Sequence, residues 1–142
     1  MIQMIRRIFE YLIQSDTLQQ GVFPTSADGV AAAAITLTKN AAAWTWGAWT
    51  QIVLAAGVTT ETQIVGFSLE NFVGAPAQGE VEVGFGTAPA GTAVGRFQTA
   101  LGNYLLPRPI RVQAGIGLVA RYRAATAIAD TVDIKLNTLT GF

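Results

Sequence analysis

The 142-residue chain has no cysteine and no histidine. Without cysteine there is no disulfide framework, thiolate metal site or thiol nucleophile. Without histidine the commonest general base and the usual ligand of catalytic zinc are gone, and the Ser-His-Asp arrangement with them. Charge is scarce too: 13% of residues are charged, against roughly 25% in ordinary soluble domains, and they cancel to a net charge of zero, while 51% are apolar. No apolar run approaches the roughly 18 residues of a spanning helix. Arg6 and Arg7 stand where a signal peptide would have its apolar stretch. The expectation is a chain that neither spans a membrane nor is evidently secreted, lacks the usual catalytic groups, and holds no cofactor or metal. So much apolar character with so few charges predicts a homo-oligomer or a protein docked on a partner.

The opening MIQMIRRIFEYLIQSDT sets Ile2, Ile5, Ile8, Phe9, Leu12 and Ile13 at helical spacing, with Arg6, Arg7, Glu10 and Gln14 elsewhere on the wheel. It reads as one amphipathic helix, free to pack on its own domain, lie on a membrane surface or reach a partner. LQQGVFPTSADG follows, and its Gly21, Pro24 and Gly29 mark a linker without a regular element. The domain division expected is therefore an arm and linker over 1–29 and a β-sandwich over 30–142.

From Val30 the hydrophobic period becomes two. ITLTK, AWTQIVLA and TQIVGFSL read as strands, the last with Val65, Phe67 and Leu69 on one face. VEVGF sets Val81, Val83 and Phe85 against Glu80, Glu82 and Gly84. GLVARYR sets Leu118, Ala120 and Tyr122 against Val119, Arg121 and Arg123, and TVDIKLNT sets Val132, Ile134 and Leu136 against Asp133, Lys135 and Asn137. With weaker segments at Thr92–Gln98 and Tyr104–Val112, about eight short strands separated by Gly, Pro and Ala-rich turns predict an antiparallel β-sandwich or jelly roll, preceded by the short amphipathic helix.

VEVGFGTAPAGTAVG, residues 81–95, packs four glycines into fifteen residues. A dinucleotide fingerprint would need G-x-G-x-x-G opening a helix, and a P-loop would need G-x-x-x-x-G-K-[ST]. Neither is present, since Pro89 interrupts the run and the two lysines, Lys39 and Lys135, are far away in sequence. The glycines read as a strand end with a bulge and a turn.

Glu80 and Glu82 share a strand face roughly 7 Å apart, a spacing that can suit an inverting glycosidase. Alternation alone accounts for them as the outward face of a strand, solvated or in contact with a partner. Asp130 and Asp133 have no ligand cluster in the sequence. Charge order says more: Glu61, Glu70, Glu80 and Glu82 come first, then Arg96, Arg108, Arg111, Arg121 and Arg123. These can pair across neighbouring strands or form complementary patches between subunits, with Glu80, Glu82, Arg121 and Arg123 as the candidate contacts beside the apolar residues of the helix. Nucleic acid is not an expected partner, because net charge is zero and the arginines are not interleaved with an aromatic platform. Trp44, Trp46 and Trp49 leave open a platform for host glycans, although tryptophans in small sandwiches are more often buried in cores or interfaces.

VEVGFGTAPAGTAVG and LLPRPIRVQAGIGLVARYRAATAIADTVDIKLNTL together resemble small β-sandwich structural proteins of tailed phages. Pro107, Pro109 and Ile110 stand for the family's Pro-Ile strand, Ala114 and Gly115 for its turn, Val119 to Arg121 for the next strand, and Asp130 to Leu136 for the last. The likeness covers roughly Trp44 to Leu139 and departs at Gly117, where the family has a polar β-former. It implies a capsid decoration or cement protein, commonly a trimer, bound to the major capsid protein on the outer surface of the virion shell.

Overall fold

The structure is a computed structural model and describes residues 2–6, 19–24, 34–74, 78–99 and 102–141. Residues 2–6 are helical and exposed. Nine strands follow: β1 (Gln19–Phe23), β2 (Ile35–Thr38), β3 (Thr50–Val53), β4 (Thr62–Val73), β5 (Gly79–Phe85), β6 (Thr92–Gln98), β7 (Gly102–Val112), β8 (Leu118–Ala124) and β9 (Thr131–Thr140).

Two antiparallel sheets face each other. One has the order β1-β9-β4-β7, with β2 also on β9; the other has the order β3-β8-β5-β6. Four of the pairings nest: β5 pairs β6, β4 pairs β7, β3 pairs β8 and β2 pairs β9. The chain is thus one long hairpin, closed by the β5–β6 turn and rolled so that alternate rungs fall in opposite sheets. That winding is the jelly roll the sequence pattern predicts.

Alternation decides which side of each strand is dry. Val81 and Val83 on β5, Leu118, Ala120 and Tyr122 on β8, and Val132, Ile134 and Leu136 on β9 all turn into one core, where all but Val83 are fully buried. Phe67 of β4 stacks on Tyr104 of β7 at 4.8 Å and meets Phe97 of β6 at 5.2 Å, so one ring ties the two sheets together. Each of the buried Val, Leu, Ile and Phe side chains contributes roughly 1.5–3 kcal/mol on leaving water.

Two expectations need correcting. The stretch expected to be linker contains β1, whose residues pair with β9 from Gln19↔Thr140 to Phe23↔Leu136, and Phe23 is buried. β1 and β2 lie end to end along the same edge of β9, so the sandwich begins at Gln19 rather than at residue 30. Gly21 did not prevent a strand because the open edge of β9 supplies hydrogen bonds and a dry site for Phe23, and such long-range gains override local propensity. The second correction lies in β4. A bulge between Ile64 and Gly66 breaks its alternation, so Ile64, Phe67 and Leu69 are buried while Val65 turns to the outer face.

Candidate functional site

The outer face of the β3-β8-β5-β6 sheet carries most of the polar residues singled out in the sequence. Register brings them together in rungs: Gln98, Glu80 and Arg123 form one, and Arg96, Glu82 and Arg121 the next. A third rung pairs Gly84 with Val119.

Glu82 sits between two arginines. Arg96 donates from Nε at 3.0 Å and Nη2 at 2.7 Å to Glu82 Oε1, and Arg121 donates from Nε at 2.7 Å to Oε2. Only 2% of the Glu82 side chain is exposed. Burial pushes its carboxyl up, but the hydrogen bonds and charges of Arg96 and Arg121 outweigh this and hold it below the ordinary carboxylate value. A carboxylate so held has no proton to give near neutrality and cannot act as the general acid of a glycosidase pair. Glu80 binds Arg123 through Oε2, at 2.7 Å from Nε and 2.5 Å from Nη2.

The segment of residues 44–49 runs beside β8 and lays three indoles over these rungs. Its backbone is pinned by hydrogen bonds from Trp44 N–H to Ala124 O at 2.8 Å and from Gly47 N–H to Tyr122 O at 2.9 Å. Gly47 is required there, since a Cβ would run into the backbone oxygen of Thr38. The Arg123 guanidinium lies 4.4 Å from the Trp46 ring centre and 5.7 Å from that of Trp44, and Arg121 lies 4.3 Å from that of Trp49. Such stacks add about 0.5–2 kcal/mol each. Arg121 and Arg123 are therefore held between a carboxylate on one side and an aromatic face on the other.

The glycine-rich run completes the layer. A Cβ on Gly84 would stand 2.9 Å from the Trp49 ring, and one on Gly91 would stand 2.8 Å from it, so these two glycines leave the space that the indole fills. The turn itself is held by Gln51, whose amide donates to Gly86 O at 3.3 Å and whose carbonyl accepts from Ala88 N–H at 2.9 Å.

Of the two readings of the charge order, pairing across neighbouring strands is present within the chain: Glu82 pairs with Arg96 and Arg121, Glu80 pairs with Arg123, and Glu82 is buried beneath this layer. No local pattern marks residues 44–49 as the segment that would form this cover. Of the helix residues, Ile2 and Ile5 are exposed, and Ile8, Phe9, Leu12 and Ile13 lie outside the described residues. Asp130 is buried and accepts from the Thr126 hydroxyl, and Asp133 accepts from the Asn71 amide at 2.9 Å and from the Thr36 hydroxyl at 2.5 Å. Among the described residues no group of three or more acidic side chains is placed to hold a metal ion, and no helix is long and apolar enough to cross a membrane.

The other sheet has a different outer surface. Val22, Val65, Leu105 and Leu139, with Gln20 and Asn137, line a shallow groove there, and Leu105 is 85% exposed.

Fold and faces define a jelly-roll β-sandwich with one outer sheet face partly covered by its own chain and the other left partly apolar. No family model matches the chain, and no curated protein matches it in sequence.

Proposed function

We propose that the chain is a non-enzymatic virion structural protein that binds the outer surface of a phage capsid and stabilises it as a decoration or cement protein, as a homotrimer seated on the major capsid protein. The observation that carries this reading is the apolar surface that remains once the charges have paired within the chain: Ile2, Met4 and Ile5 in the helical segment, and Leu105 on the open sheet, all stand more than half exposed. Apolar area taken from water between shell subunits contributes roughly 25 cal/mol per Å² before association costs are subtracted. Repetition over a lattice multiplies weak contacts through avidity, and no reaction is needed. The segments that resemble tailed-phage proteins fall on β5, the first half of β6, β7, β8 and β9, so the likeness and the jelly roll support the same reading.

The test is light scattering of the purified chain together with co-sedimentation on purified phage heads, for the wild type and for Ile2→Ser/Ile5→Ser. The expected result is a trimer that sediments with heads, and a variant that melts like the wild type but sediments less. A monodisperse monomer at micromolar concentration that stays in the supernatant overturns the reading. Truncation is a poorer probe unless the cut precedes Gln19, because a cut after Gly21 removes Gln19, Gln20 and Gly21, most of β1.

A further inference from the structure

Trp44 differs from the two tryptophans beside it. Trp46 and Trp49 are half-buried, whereas Trp44 is 43% exposed. Its backbone is also in the left-handed region, at φ 54°. A bulky side chain rarely adopts that conformation, and strained residues of this kind gather where a structure holds a group ready for use. The hydrogen bond from Trp44 N–H to Ala124 O anchors the main chain, and the Arg123 guanidinium lies at the edge of cation–π range of the ring.

Beside this ring lies a groove of about 260 Å³ lined by Trp44, Gln78, Gly79, Glu80, Gln98 and Thr99. Its polar groups are held by the sheet: Glu80 and Gln98 are register partners on β5 and β6, and Thr99 N–H donates to Gly79 O at 2.9 Å. They are also unspent. Glu80 gives Oε2 to Arg123 and keeps Oε1, and the side chains of Gln78, Gln98 and Thr99 have no hydrogen-bond partner among the described residues. The groove therefore offers two amides, a hydroxyl and one carboxylate oxygen around the rim of an open aromatic face.

We infer that this groove binds a neutral saccharide, one pyranose ring stacked on Trp44 with its hydroxyls bonded to Glu80, Gln78, Gln98 and Thr99. A pyranose has an apolar face of C–H bonds and an equatorial belt of hydroxyls that both donate and accept. That belt suits amides, which do both, and a carboxylate oxygen, which accepts. An anionic ligand is disfavoured because Arg123 is already neutralised by Glu80 and the remaining carboxylate oxygen repels negative charge. A purely apolar ligand would leave four polar groups desolvated and unpaired. The proposal does not rest on shell decoration, since the groove opens on the sheet face opposite to the one that carries Leu105.

The experiment titrates the full chain with the methyl glycosides of glucose, galactose, mannose and N-acetylglucosamine, and with N-acetylneuraminic acid and a heparin disaccharide. Calorimetry and saturation-transfer NMR read the binding. At least one neutral glycoside is expected to saturate the site at millimolar concentration. Trp44→Ala is expected to weaken it about tenfold, the value of one lost aromatic contact. Gln98→Ala, at an exposed side chain that leaves the fold intact, is expected to weaken it several-fold, while Leu105→Ala on the opposite sheet leaves it unchanged. Failure of every neutral glycoside to saturate, tighter binding of either anionic sugar, or binding unaffected by both Trp44→Ala and Gln98→Ala overturns the proposal.

Discussion

The two outer sheet faces of this jelly roll are built from the same alternating strands but finished in opposite ways. On the β3-β8-β5-β6 sheet the outward positions are ionic, and the chain returns over them with Trp44, Trp46 and Trp49. On the β1-β9-β4-β7 sheet the outward positions at one end are Val22, Val65, Leu105 and Leu139, and no comparable segment among the described residues lies over them. The chain covers the buried ionic rungs of the first face, whereas this apolar end of the second is left to the outside, and the ion pair of Lys135 and Glu70 on that second face lies uncovered as well. Covering charges costs desolvation, which is repaid only where every charge has a partner. The rungs through Glu80 and Glu82 meet that condition.

This contrast is open to measurement. Trp49→Ala should have the largest effect, since its indole fills the space above Gly84 and Gly91 and packs on Arg121; a loss of about 3–4 kcal/mol is expected in urea unfolding. Trp44→Ala should cost well under half of that, and equal losses would show that the indoles do not differ in role.

Glu82→Gln comes next. It removes the shared partner of Arg96 and Arg121, and about 2–3 kcal/mol is expected, below the ~3–5 kcal/mol for breaking a fully buried pair because Arg96 is 53% exposed. Because the folded-state pKa of Glu82 is depressed, its contribution is complete above the unfolded value of roughly 4.3 and is lost as pH falls through the folded value. Wild-type stability should therefore drop below about pH 4.3, and Glu82→Gln should drop less steeply. Parallel slopes would mean that the buried ion pair does not govern acid unfolding.

Leu105→Ser on the open face should change stability by no more than about 0.5 kcal/mol, yet it should lower the apparent mass in light scattering if that face joins subunits. A large loss of stability would show that Leu105 belongs to the fold. The smallest effect is expected at the exposed pair of Glu61 and Arg111, where Glu61→Gln should leave the unfolding midpoint unchanged within error.

Much of this architecture was legible in the sequence because alternation is a local property. VEVGF, GLVARYR and TVDIKLNT each state which side chains go inward, and the structure buries Val81, Leu118, Tyr122, Ile134 and Leu136 accordingly. β1 was not legible, because QQGVF has little strand character of its own and exists as a strand through the edge of β9. The inward set of β4 was misplaced by one residue at Val65, since a bulge is a property of the pairing and not of one strand.

The candidate site divides along the same line. The sequence by itself determined that no thiol or imidazole chemistry is available, that β-strands with one dry face make up most of the chain, and that the acidic and basic residues come in separate stretches. Those follow from composition and from a period of two, which any short window contains. Only the tertiary structure decided that Glu82 meets Arg96 and Arg121, that Gly84 and Gly91 make room for Trp49, and that Trp44 keeps an open ring beside Gln98 and Glu80. Each of those contacts joins residues distant in sequence, and their meeting depends on strand register and on the path of residues 44–49, which no local pattern encodes.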